Sequence, residues 1–423
     1  MSAITRLCGR AALPFLTCAA LVACSESASP PATDEQAAGA GVTVFTGARL
    51  IVGDGTVVDN ATFTVGADDR FGLVGATGAV TVPAGSTTVD LAGLTVIPAI
   101  VDTHAHLSRD RAGLTADLKH RAYFGVGAVM SLGQDTGDDV YAMRREAIPG
   151  HALYRTAGRG VTVPEPGRSD IPYWVTTADE ARAGVREQAA LGVDIVKVWV
   201  DDRNGQYPKL APEIYGAVIE EAHANGLRVT AHLYYLDDAK DLVRRGIDAF
   251  AHGIRDRDID DELVAMFKER PNFVLGPNLP DRGVALDLSW LAPHLPAEQV
   301  ATLQAASTDR PEAQAFFAIQ ARNLERMSRE GVKIVLGTDG NVPWGAHLEM
   351  ADMVATGMTP AQVLVAATRN SAEFLGLADA GTVAAGKSAD FVVLEANPLD
   401  DITNTRRIRD VYLRGEHIDR SAY

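Results

Sequence analysis

Val96-Ile-Pro-Ala-Ile-Val-Asp-Thr-His-Ala-His106 is an apolar run that ends in two histidines. Residues two apart on an extended strand point to the same face, so His104 and His106 can grip one ion together. Such a pair is a weak signal alone. Its weight depends on what stands at the ends of the other apolar runs. Downstream, one unit recurs: a helix-forming stretch, a glycine, then an apolar strand. Ala189-Ala-Leu-Gly192 precedes the run at 193–200, and Ala224-Asn-Gly226 precedes 227–233. Arg244-Arg-Gly246 precedes 247–252, and Arg329-Glu-Gly331 precedes 332–339. Glycine there supplies the left-handed residue that ends a helix. Thr177 with Glu180 forms a capping box, and Pro212 suits a first helical turn. Apolar strands with little alternation indicate a parallel sheet covered on both faces. Candidate strands fall at 95–102, 126–132, 152–156, 195–200, 228–232, 248–252, 273–277 and 333–337. Eight such strands close a (β/α)8, TIM-like barrel, so the fold class is α/β. An open doubly wound sheet is the alternative.

The chain ends read differently. Val42-Thr-Val-Phe-Thr, Ala61-Thr-Phe-Thr-Val and Thr87-Thr-Val-Asp-Leu are strand-like runs between Gly, Asp and Asn turns, and Asp390-Phe-Val-Val-Leu and Ile408-Arg-Asp-Val-Tyr-Leu repeat the pattern. The expected organisation is a barrel over 97–378 and a small β-sandwich formed by 42–96 together with 379–423.

The first residues are set apart. Arg6 and Arg10 precede an apolar stretch at 11–23 that is too short to span a bilayer comfortably. This reads as a secretory signal. Leu21-Val-Ala-Cys24 resembles the bacterial lipoprotein signal, which implies cleavage after residue 23 and a lipid on Cys24. Ser25 then points to the periplasmic face of the outer membrane. An ordinary signal peptide is the simpler alternative. Residues 24–41, rich in Ser, Ala, Pro and Gly, read as a flexible tether. The chain has three cysteines, Cys8, Cys18 and Cys24, so the folded part has no thiol ligand or disulfide. A net charge of −16 argues against nucleic acid as a partner and against an anionic lipid surface, leaving the lipid anchor as the membrane attachment.

The active face of a barrel is built at the C-terminal ends of its strands. His104 and His106 end the first strand, His232 and His252 end two later ones, and Asp339 follows the last. Lys197 lies inside an apolar strand, sharing a face with Ile195 and Trp199. A buried amine is costly unless its charge is compensated or removed. A salt bridge to a carboxylate would compensate it; uptake of carbon dioxide would convert it to an anionic carbamate. Either is compatible with the strand. Four histidines, a lysine and an aspartate at strand ends supply the nitrogen and oxygen ligands that zinc-like ions prefer.

The opening run resembles the first metal motif of the amidohydrolase superfamily. Thr368-Arg-Asn-Ser-Ala, Gly376-Leu and Gly381-Thr-Val-Ala-Ala-Gly-Lys-Ser-Ala-Asp-Phe-Val-Val-Leu resemble its C-terminal return. The resemblance spans about residues 42 to 418, and Ala99 departs from it where a glycine is usual. It implies two divalent ions, expected to be Zn2+, with His104, His106 and Asp339 holding one, His232 and His252 the other, and a carbamate on Lys197 bridging them. It also implies hydrolysis of a C–N amide bond, with Asp339 as general base and then acid. Members similar to imidazolonepropionase and to metal-dependent Xaa-Pro dipeptidases are nearest in kind, so the expected partner is a small molecule or short peptide. A mononuclear deaminase or a lactonase of the same superfamily is the rival enzyme, and a binding lipoprotein the rival of another class. Tyr234, Tyr235, Arg255, Arg257 and His347 stand where charged substrate ends would be held; Tyr235 and Arg255 are the chosen contacts. Trp199 and Asp201 read as scaffold. Trp290 and Trp344, in the loops that would set specificity, read as an apolar wall. A homo-oligomer is left open.

Overall fold

The computed structural model describes residues 41–421. The signal, Cys24 and nearly all of the tether lie outside the described residues. No helix among the described residues is long and apolar enough to cross a membrane.

Eight strands make up the parallel set, seven of them at the positions expected from the sequence. They are β1 (Ile100–Ala105), β2 (Val126–Ser131), β3 (Leu153–Thr156), β4 (Val196–Val200), β5 (Val229–Leu233), β6 (Ala249–Phe250), β7 (Val274–Leu275) and β8 (Lys333–Ile334). Neighbours pair in parallel from β1 to β3 and from β4 to β8. Backbone hydrogen bonds join the two rows on both sides. Asp194 N–H donates to Thr156 O at 2.9 Å, and Thr103 N–H donates to Leu336 O at 2.9 Å. A parallel bridge also pairs Ala105 with Gly340. The helices between strands start and stop where their sequence dictates. In Ala178–Leu191, Thr177 and Glu180 close a capping box, and Gly192 ends the helix at φ 74°. Pro212 opens the helix Pro212–Ala224.

The first expected strand, 95–102, is a correction. Thr95–Pro98 belongs to another sheet, and the chain re-enters as β1 only after Ala99. The apolar run is continuous because both halves are buried, so hydrophobicity carried no sign of the break.

That other sheet has eight mixed strands and unites both chain ends. Thr95–Pro98 pairs antiparallel with Phe391–Leu394 and in parallel with Thr43–Ile51, which continues to Val57–Val65 and Phe71–Ala76. Phe71 and Phe391 stand four strand steps apart in this order, about 19 Å on a flat sheet. Their ring centroids are 5.7 Å apart. The sheet therefore curls over a core of Phe45, Phe63, Phe71 and Phe391.

Candidate metal centre

Asp339 is the hub. It follows β8 at φ 50°, a left-handed backbone that turns its carboxylate back over the strand ends. One oxygen, Oδ1, lies 3.1 Å from Nε2 of His104 and 3.0 Å from Nε2 of His106. The other, Oδ2, lies 3.7 Å from Nε2 of His252. His232 packs edge-on against His252, with ring centroids 4.4 Å apart. Lys197 is fully buried, and its Nζ has no hydrogen-bond partner. Nζ lies over the ring of Trp199, 5.5 Å from its centre.

The electrostatics follow from burial. Desolvation lowers His104 to about 4 and His232 to about 3, and carries His252 well below its usual value. Burial would raise the Asp339 carboxyl, but His104 and His252 outweigh it and hold it far below the carboxylate range. Burial brings Lys197 down to about 7, against the opposing pull of Asp339. His104, His232 and His252 are thus held as neutral imidazoles beside an ionised carboxylate, the protonation states that a divalent cation requires of its ligands.

These residues fit such a cation. Tetrahedral bonds of about 2.0–2.2 Å to zinc set ligand atoms about 3.3–3.6 Å apart. The ligand atoms of His104, His106 and Asp339 all lie within 4.8 Å of one another. Nε2 of His252 and Nζ of Lys197 are buried without a hydrogen-bond partner, which is costly for polar atoms that serve no ligand.

Supporting groups surround the ligands. Asp102 accepts from the backbone N–H of His104 and Thr338, both at 3.1 Å, and from the Thr338 hydroxyl at 2.8 Å, tying β1 to the segment that carries Asp339. Asn278 places its amide nitrogen 2.7 Å from Nδ1 of His104. Asp201 bonds Nε2 of His232 at 2.9 Å, and Arg203 bonds Asp201 at 3.0 Å. The sequence reading missed Asn278 and Arg203 and left Asp201 as scaffold. The available signal was position: Asp201 directly follows β4, and Asn278 lies just beyond β7.

The expected substrate contacts divide. Arg255 reaches the centre, with Nη2 against Nδ1 of His252. Tyr235 instead donates its hydroxyl to Asp202 at 3.0 Å, and Lys209 sits over its ring. Arg257 is on the surface, paired with Asp237. His347 lies on the helix Gly345–Ala355, not in a loop, and is buried between Phe124 O and the Thr405 hydroxyl. Trp344 packs with Phe124 in an apolar cluster, and Trp290 lies against its edge under Arg406.

Similarity to known proteins bears on the family. The model of the amidohydrolase family matches residues 95–418. An ochratoxinase of Aspergillus niger is 26% identical over 308 residues, covering 66% of this chain and 58% of that enzyme. An imidazolonepropionase of Deinococcus radiodurans is 26% identical over 357 residues, covering 78% of this chain and 85% of the enzyme. The solved structure of a candidate prolidase from Bifidobacterium longum is 26% identical, with a TM-score of 0.74 over 90% of this chain and 95% of its own. With histidines and an aspartate gathered at the ends of parallel strands and this match over most of its length, the chain belongs to the amidohydrolase family and is an amidohydrolase enzyme.

Proposed function

We propose that the enzyme hydrolyses the C–N amide bond of a dipeptide, an N-acyl amino acid or a cyclic amide, on a closed (β/α)8 barrel flanked by a β-sandwich. One observation carries this reading: three imidazoles and the Asp339 carboxylate converge beside a buried amine with no hydrogen-bond partner. His104, His106 and Asp339 would hold one divalent ion, His232 and His252 a second, with Lys197 between them as its carbamate. Zinc suits this nitrogen and oxygen set. Bound ions of this kind make a water acidic enough to ionise near neutral pH and polarise a carbonyl.

The chain's own groups do the rest. An amine whose pKa lies near 7 is largely neutral in mildly alkaline solution, and the neutral form is the one that takes up carbon dioxide, releasing a proton. Asp339 takes a proton from the attacking water and returns it to the leaving nitrogen. Asp102, Asn278 and Asp201 hold His104, Thr338 and His232 in place during the reaction. Arg255 lies close enough to meet a substrate's charged end; Tyr235, bound to Asp202, would have to release that bond to do the same.

Location belongs to the same proposal. The run ending at Cys24 supports export and lipid anchoring at the periplasmic face of the outer membrane, where peptides and acylated amino acids are at hand. The test combines metal analysis with turnover. Two ions per chain and cleavage of members of a dipeptide and N-acyl amino acid library are expected. One ion with deamination, or a metal-loaded chain inert to every amide, would overturn the reading. Mass spectrometry of the mature N-terminus tests the lipid on Cys24.

A further inference from the structure

The metal ligands account for the scissile bond and leave the far end of the substrate without a partner. Beside Asp339 is a cavity of about 210 Å³. Thr338 and Gly340, on either side of Asp339 in the chain, form its inner wall, and Leu279, Val342 and Leu348 give it apolar sides. Arg282 projects into the same space from the loop that begins at Asn278. Four residues cover at most about 14 Å, so Arg282 stays within reach of the residue that touches His104.

Arg282 is unusually under-used. Its nearest carboxylate is Asp352, with Nε 3.5 Å from Oδ1, and Nε is buried without a hydrogen bond. The other two acids in the wall do not offset it: Asp281 is paired with Arg310, and Glu349 is buried, accepts from Leu279 N–H at 3.0 Å, and is pushed by burial well above the usual carboxylate range. Asp352 is also raised, to about 6, chiefly by burial. The cavity therefore joins a guanidinium with spare donors to an apolar lining, one step from the group assigned to proton transfer.

We infer that Arg282 is a specificity-determining residue: it pairs with the free carboxylate of the substrate while Leu279, Val342 and Leu348 receive the apolar side chain next to it. The substrate class is then an amino acid with an apolar side chain, acylated or peptide-bonded at its nitrogen and free at its carboxyl end. The planar fork of arginine suits a carboxylate in two-pronged fashion. Asp352 keeps the guanidinium in place without saturating it. This inference rests on the amide-hydrolase reading above.

The test separates the two. Calorimetry on the metal-loaded Asp339→Asn chain would compare N-acetyl-L-leucine, its C-terminal amide N-acetyl-L-leucinamide, and N-acetylglycine. The acid is expected to bind roughly 10–100-fold more tightly than the amide, the range of a hydrogen-bonded charge pair. N-acetylglycine should bind more weakly than N-acetyl-L-leucine. Adding Arg282→Gln should collapse the preference for acid over amide, and Arg282→Lys should restore part of it. Equal binding of acid and amide, no measurable binding of either, or a preference that survives Arg282→Gln overturns the inference. Should the preference depend on Arg282 while the native chain cleaves none of these compounds, the hydrolase reading falls and the carboxylate site stands.

Discussion

The amide nitrogen of Asn278 stands 2.7 Å from Nδ1 of His104, across 174 residues of sequence. Asn278 has φ 41°, a left-handed backbone that asparagine tolerates better than most residues. A Cβ at Gly337 would come within 2.2 Å of Asn278 Oδ1 and 2.9 Å of His104 Cβ, so a glycine is needed to let the two meet. Replacing Asn278 with Leu should leave the fold and loosen the ring. Metal affinity is expected to fall roughly 10–100-fold, as for other lost partners of ligating histidines. Titrating zinc into the metal-free chain against a competing chelator would show it; unchanged affinity would mean that the contact positions nothing.

Lys197→Ala is expected to remove one of two ions and nearly all turnover. Short carboxylates such as propionate should restore part of both, since they can occupy the place of the carbamate. Full metal content with no response to added carboxylate would assign Lys197 a structural role instead.

Asp339→Asn preserves size and neighbours but cannot take up the proton. Turnover should drop about 100-fold or more, the range for loss of a general acid and base. Circular dichroism should be unchanged. A rate near that of the native chain would remove Asp339 from proton transfer.

His347 is expected to make the fold sensitive to acid through a group outside the proposed set of metal ligands. Desolvation lowers its folded pKa from 6.5 to about 4, with Arg406 and Arg420 adding to the effect and Phe124 O opposing it. A depressed pKa means that its contribution to stability is complete above about 6.5 and declines as pH falls toward 4. Between about pH 7.5 and pH 5 the native chain should lose about 2 kcal/mol more than His347→Gln. Urea unfolding at the two pH values measures the difference, and parallel losses would contradict it.

Much of this architecture was legible in the sequence. Helices that end at glycine and continuous apolar strands are local signals, and each of the eight expected runs overlaps a strand of the parallel set, the first of them only at its end. His104 on β1 and His106 just past its end were legible for the same reason: extended geometry gives residues two apart a shared face. What escaped depended on distant partners. Asn278 meets His104 only because a left-handed turn and a missing side chain at Gly337 permit it. Asp201 gains its role from His232, 31 residues away and on the adjacent strand. His347 was misread because its surroundings, Phe124 and Thr405, come from remote parts of the chain. The break at Ala99 was hidden because burial continues on both sides of it.

The pairing of Thr95–Pro98 with Phe391–Leu394 has a bearing on how this chain tolerates cutting. The strand that bears His104 and leads to His106 is anchored, through Ala99, to a ribbon completed by residues almost three hundred positions later. Trimming the last thirty or so residues would strip Thr95–Pro98 of that partner and leave an unpaired edge just before β1, at the end of the strand opposite His104. The sheet that leads into β1 is therefore complete only once residues 391–394 have been made.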